Sequence, residues 1–120
     1  MNRPTDWEYC AEVIRVIDGD TIDVSIIWDI GFQIVCGTDQ RIRLAHIDAP
    51  ELRRGDAEHR AAGKAATEFL KEKLPVGTMV TLLTKKDPDA FGRYIADVIL
   101  DGVNINTLLV KEGHAVYRDY

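Results

Sequence analysis

Only two cysteines, Cys10 and Cys36, occur in 120 residues, and no Cys-x-x-Cys pair exists. That argues against a cysteine-based zinc site. Both lie in apolar, strand-like runs, which predicts small buried thiols. A Cys10–Cys36 bridge stays open, although nothing in the sequence asks for it. No stretch is long and apolar enough to span a bilayer. The opening "MNRPTDWEYC" has no apolar leader core. These two absences predict a cytoplasmic protein without membrane contact, or a secreted one whose leader has been removed. An excess of basic charge is also missing, since the formal net charge is −5. A broad nucleic-acid-binding surface usually carries the opposite sign. Positive charge is instead local, at Arg41 and Arg43, Arg53 and Arg54, and Lys85 and Lys86. Any phosphate site must then be a local pocket.

The length and the ordinary balance of 46% hydrophobic and 29% charged residues predict one domain, residues 1–120, with its own core. Residues 9–17 are rich in β-branched and aromatic types and read as a first strand. The Asp18-Gly19-Asp20 turn follows, then an alternating strand over 21–28. Two glycines punctuate the next stretch, which reads as an extended hairpin arm at about 27–41. Residues 41–47 form a third strand, with Ile42 and Leu44 on one face and Arg41 and Arg43 on the other. Pro50 forbids its continuation. A helical pattern covers about 57–74, with Ala62, Ala66, Phe69, Leu70 and Leu74 on one stripe. Gly63 weakens its first part, so the firm helix is placed from about residue 62. Pro75 and Gly77 end it. Strands follow at 78–84 and 93–100, then a short helix between an Asn104 cap and a Gly113 stop. Five strands with a long helix after the third suit a mainly β, α+β fold, a five-stranded Greek-key barrel of the OB type.

The turn raises a chemical question. Asp18 and Asp20 flank Gly19, where a turn needs only one polar residue. Alone they read as turn formers. Yet Asp20 starts the second strand, Arg43 is on the third, Asp48 and Glu51 follow its end, and Arg93 begins the fifth. Three carboxylates and two guanidiniums at element ends suit phosphodiester cleavage. The diester is anionic and its transition state more so, so a hard cation on carboxylate oxygens and bidentate guanidiniums both lower the barrier. A further carboxylate can take a proton from water. Arg43 and Asp48 are an odd number of positions apart and would face opposite ways on an unbroken strand. Their sharing one site requires a bulge or turn near Ala45–Ile47.

The segments "VIDGDTIDV", "RIRLAHIDAPE", "DAFGR" and "NTLLVKEGHA", in that order, resemble the staphylococcal nuclease-like (thermonuclease) family over roughly residues 12–117. The resemblance implies an OB barrel with helices and a metal-dependent endonuclease. By that resemblance Asp20 and Asp48 bind Ca²⁺, or another divalent cation, with the main-chain carbonyl of Ala49. Glu51 acts as general base on water. Arg43 and Arg93 grip the scissile phosphate of DNA or RNA, with single strands preferred, and products end in 3′-phosphates. Tyr117 is a further substrate contact. Asp18 is either a support for Asp20 or plain turn chemistry. Family members with Thr at the position of Ala49 use its main-chain oxygen, so Ala serves equally. The Lys-Tyr pair of those members is replaced by Ala90–Phe91, which removes a charge and a phenol from a terminal phosphate.

Blander readings stand beside these. His46 shares the parity of Ile42 and Leu44 and is read as packing or hydrogen-bonding, His59 as lying on a polar loop or helix start, and His114 as following a helix stop. Trp28 and Phe32 in the arm are read as packing residues rather than base-stacking platforms, although an exposed aromatic arm could bind a strand of nucleic acid. The rival function is a non-catalytic OB module that binds nucleic acid or protein. A metal-binding domain without a nucleic-acid role is a third. Retention of Asp20, Arg43, Asp48, Glu51 and Arg93 favours the enzyme. A monomer or weak dimer through the arm is expected.

Overall fold

A computed structural model describes residues 6–29, 34–52, 55–85 and 94–118. Strand β1 (Asp6–Asp18) turns at Gly19 into β2 (Thr21–Asp29), and β3 (Ile34–Leu44) pairs antiparallel with β2. A two-residue strand β4 (Ile47–Asp48) follows, then helix α1 (Ala57–Lys73). Next come β5 (Met79–Lys85), β6 (Tyr94–Leu100), β7 (Val103–Asn104), helix α2 (Ile105–Lys111) and β8 (Val116–Tyr117). The strands run β3-β2-β1-β5-β6-β7 in one sheet. A parallel seam, Ile42↔Tyr94 to Leu44↔Ala96, joins β3 back to β6. Five strands thereby close into a barrel, as the OB expectation requires.

Alternation along the strands builds the interior. Ala11, Val13, Ile22, Val24, Ile42, Leu44, Leu82, Ala96 and Val98 are buried in the core. Side chains one position away point outward, because successive Cβ atoms alternate across a strand. Cys10 is among these and is exposed with a free thiol, which corrects the expected burial. Its neighbour Ala11 takes the inward place.

Helix α1 packs against β1, presenting Ala66 and Leu70 to the core. It begins at Ala57, earlier than residue 62, because the Asp56 carboxylate caps it by accepting from the His59 N–H at 2.8 Å. Gly63 does not interrupt it. Asn104 caps α2 as expected, accepting from the Asn106 and Thr107 N–H groups. Asn106 is 1% exposed and clips the barrel internally. Its amide donates to the Ala45 and Ala96 carbonyls at 3.0 Å and accepts from the Val98 N–H at 3.2 Å.

Three other features differ from expectation. Strand β3 starts at Ile34 rather than at residue 41, so the expected hairpin arm continues the β2–β3 ladder, with Asp29 opposite Ile34. The same strand stops at Leu44 rather than at residue 47, giving the break that parity demanded. The short strands β4, β7 and β8 have no sequence signature, because two residues cannot display a period. Among the described residues no helix is long and apolar enough to cross a membrane.

Candidate active site

The β1–β2 turn sets the first acid. The Asp20 N–H donates to Asp18 Oδ1 at 3.1 Å, so Asp18 stabilises the turn through its neighbour's backbone. Gly19 is there for space. A Cβ on it would lie 2.8 Å from Ala66 Cβ on α1 and 2.9 Å from Ala49 Cβ. The turn thus sits against both the helix and the segment that carries Asp48.

Asp20 is 8% exposed. Its Oδ2 accepts from the Ala49 N–H at 3.0 Å, and Oδ1 accepts from the Thr21 hydroxyl at 3.1 Å. Arg43 Nη2 stands 3.4 Å from Asp20 Oδ2 and 3.4 Å from Asp48 Oδ1. The two carboxylate oxygens therefore lie within twice that distance of each other. Arg43 is itself buried. It donates from Nη1 to the Leu44 carbonyl and from Nη2 to the Ile47 carbonyl, both at 2.9 Å. Its guanidinium thereby spans the corner between β3 and β4 and holds it shut.

That corner is the break at Ala45–His46. His46 adopts φ 63°, the left-handed region, rather than continuing the strand. Its carbonyl accepts from the Arg118 N–H at 2.8 Å, and β4 pairs with β8 through Ile47↔Tyr117 and Asp48↔Val116. Asp48 is thus swung back towards Asp20 and braced from behind. Tyr117 is exposed on β8.

One participant was missed from the sequence. Arg118 Nη2 lies 3.2 Å from Asp48 Oδ2, so Asp48 is held between two guanidiniums. Nothing local marks Arg118, since its contact comes from long-range pairing of β8 with β4. Glu51 is exposed and lines a cavity of about 400 Å³ with Asp48, Pro50, His59, His114 and Val116. The ring of His114 packs on that of Phe69, with centroids 4.6 Å apart and the planes tilted by 32°.

The structure brings Asp20, Arg43 and Asp48 together and places Ala49 and Glu51 on the segment that leads away from them. Arg93, Ala90, Phe91, Phe32, Arg53, Arg54 and Lys86 lie outside the described residues, as do the side chains of Trp28, Cys36 and Lys85. Among the described residues no group of three or more His, Cys, Asp or Glu side chains is placed to hold a metal ion. The donors that do converge are two carboxylates, and a hard dication takes exactly such oxygens, completing its shell with carbonyls and water. Asp20 also fits electrostatically. Burial, and then the Asp18 carboxyl beside it, push its pKa up to about 6, against the pull of the Ala49 N–H and Arg43. A positive charge arriving there would relieve that penalty.

A stability consequence follows. The native Asp20 carboxyl binds its proton more tightly than the unfolded chain does, where the pKa is near 3.8. Its contribution is fully present below pH 3.8 and is lost as pH rises through about 6. Two pKa units correspond to about 3 kcal/mol. Asp20→Asn keeps an acceptor for the Ala49 N–H and removes the buried charge. In a chelator it is expected to be more stable than wild type by about 1–3 kcal/mol at pH 8. The gain should vanish below pH 3.8, where the Asp20 carboxyl is protonated in the folded and the unfolded chain alike. Urea denaturation at the two pH values checks this.

Comparisons with known proteins agree with one another. The model of a family described as "Staphylococcal nuclease homologue" matches residues 41–120. A thermonuclease of Staphylococcus intermedius is 37% identical over 109 residues, 90% of this chain and 59% of that protein. A protein of Escherichia coli described as an uncharacterized endonuclease is 36% identical, over 92% of this chain and 65% of its own. A micrococcal nuclease of Shigella flexneri is 32% identical, over 98% of this chain and 63% of its own. The chain therefore spans somewhat under two-thirds of the length of these relatives.

Proposed function

Because the chain belongs to the staphylococcal nuclease homologue family, we propose that it is a metal-dependent endonuclease that hydrolyses phosphodiester bonds of DNA and RNA. The observation that carries this is the convergence of Asp20, Arg43 and Asp48, from three separate segments, on one guanidinium nitrogen.

In this mechanism Arg43 and Arg93 donate to the non-bridging oxygens of the scissile phosphate, and the charge that develops there in the transition state strengthens those bonds. Arg43 is preorganised for this, since the Leu44 and Ile47 carbonyls fix its plane. Glu51 takes the proton from the attacking water. Asp18 holds the turn that aims Asp20. When bound by Asp20, Asp48 and the main-chain oxygen of Ala49, a hard dication such as Ca²⁺ offsets part of the charge on the pentacoordinate phosphate. The leaving group is the 5′ oxygen, so products end in 3′-phosphates. Tyr117 touches the substrate beside β4. Single strands are preferred, because an unpaired backbone can enter a pocket that a rigid duplex cannot.

Incubation of single-stranded and duplex DNA and RNA with Ca²⁺, Mg²⁺ or chelator tests this. The expected result is cutting that requires a dication, is abolished by chelator, and leaves 3′-phosphate ends. Binding without turnover in every condition would instead identify a non-catalytic module.

A further inference from the structure

The outer face of β1, β2 and β3 carries a second cationic row that the proposed chemistry does not use. Asp23 on β2 is opposite Arg15 on one side and Arg41 on the other. Arg41 donates from Nε to Asp23 Oδ1 at 2.8 Å and from Nη2 to Oδ2 at 3.2 Å. Arg15 Nε donates to Asp23 Oδ2 at 2.8 Å. One anion is thus shared by two cations at hydrogen-bond distance, with Asp18, opposite Thr21 in the adjoining row, acting on Arg41 from farther away, so the row itself holds two cations to one anion on a chain whose net charge is −5. The Asp23 side chain is 7% exposed, whereas those of Arg15 and Arg41 are 58% and 52% exposed. The acid lies beneath and the guanidiniums reach past it towards solvent.

The row is not an accident of alternation. Val13 opposes Val24, so a regular ladder would set Ile14 against Asp23; a register shift between Val13 and Arg15 sets Arg15 there instead. Bulges re-aim side chains in this way. The position of the row also matters. Arg41 and Arg43 share a face two residues apart on β3, and Thr21↔Arg43 is the adjoining row to Asp23↔Arg41. Two residues of strand span about 6.6–6.8 Å. That matches the distance between successive phosphates of an extended single strand. The row beyond, Glu12 opposite Ser25 and Ser25 opposite Asp39, carries two acids and no cation.

We propose that Arg41 and Arg15, held by Asp23, form a second phosphate station, which binds the phosphate neighbouring the one at Arg43 in a single-stranded polynucleotide. The inference rests on the nuclease assignment above and extends it to one further nucleotide and no more, because Glu12 and Asp39 repel the strand beyond.

The test compares a dinucleotide, whose one phosphate occupies the Arg43 site, with a single-stranded hexanucleotide. Hexanucleotide affinity is measured in chelator across a salt series, and kcat/KM is measured for both with Ca²⁺. Arg41→Ala is expected to weaken hexanucleotide binding about 5–10-fold and to lower the salt slope by about 0.7, the value for one phosphate on a single strand. Its kcat/KM loss should be at least about fivefold larger for the hexanucleotide than for the dinucleotide. Arg41→Lys should keep the salt slope. Asp23→Asn removes the shared anion and should tighten hexanucleotide binding, although it breaks the same ion pairs as Arg41→Ala. A merely structural triad predicts weakening in both variants, and that result overturns the station. If Asp23→Asn does not fold, equal salt slopes for Arg41→Ala and wild type overturn it independently. Failure of wild type to cut either oligonucleotide with any dication counts against the nuclease assignment, and is read separately from hexanucleotide affinity.

Discussion

Glu51→Gln is expected to lose about 10²–10⁴-fold in turnover, the range for removal of a positioned general base. Glutamine keeps the length and shape of the side chain but cannot accept the proton from water. Because Glu51 is exposed at the rim of the cavity, the fold should tolerate the change. Oligonucleotide affinity in chelator should stay within a few-fold of wild type, since the proposed phosphate contact is Arg43 and not Glu51. Single-turnover kinetics beside equilibrium binding separate these quantities. Turnover within tenfold of wild type would remove Glu51 from its assigned role and move the search for a base elsewhere in the cleft.

The second large effect is expected at Gly63→Ala, and its sign runs against local propensity. In an exposed helix interior this change gains about 1 kcal/mol. Here the helix is pressed against the segment that carries Glu51, the proposed base. A Cβ at residue 63 would lie 2.7 Å from the Glu51 carbonyl carbon and 3.0 Å from the Pro50 oxygen, and would overlap the Glu51 oxygen more closely still. All three are main-chain atoms, so no rotamer change relieves the contact. Either α1 or the loop must shift. Overpacking of this kind costs about 1–3 kcal/mol. A shift of roughly 1 Å in a catalytic group costs about 10²-fold in rate. Gly63→Ala should therefore unfold at lower urea than wild type and show reduced kcat. A variant that is more stable and fully active would show that α1 does not set the position of Glu51.

Gly63 also marks the boundary of what the sequence could disclose. In the sequence it looks like a flaw in a helix, because helix propensity is a local quantity and close approach to another segment is not. The same division runs through the whole chain. The alternation of Ile22, Val24, Ile42 and Leu44 and the caps at Asn104 and Gly113 are local, and they were legible. So was the break near Ala45–His46, because Arg43 and Asp48 could share a site only if the strand failed between them. The positions of Asp20, Arg43 and Asp48 at element ends, with the family motifs, were sufficient to bring them together. Arg118 was not legible as a partner of Asp48, since that contact depends on two residues of β8 pairing with two of β4. The bulge that turns Arg15 towards Asp23 was hidden for a similar reason. It is a property of register between strands, and no single strand encodes it visibly. Cys10 went wrong because an apolar run does not say which of its residues face outward.

The parallel seam between β3 and β6 has a kinetic meaning. It joins residues 42–44 to residues 94–96, about fifty positions apart along the chain. The β1–β2–β3 meander needs only short loops and can form early, whereas the seam must wait for a long excursion through α1 and β5 to return. Loop-closure entropy makes such distant pairings slow. Arg43 is itself one of the three paired positions, so the half of the molecule that folds first carries Asp20 but leaves the guanidinium's strand edge open, and Asp48 waits on β4 for β8. Competence for the proposed chemistry would then arrive with that ring closure rather than accumulate with helix and hairpin content.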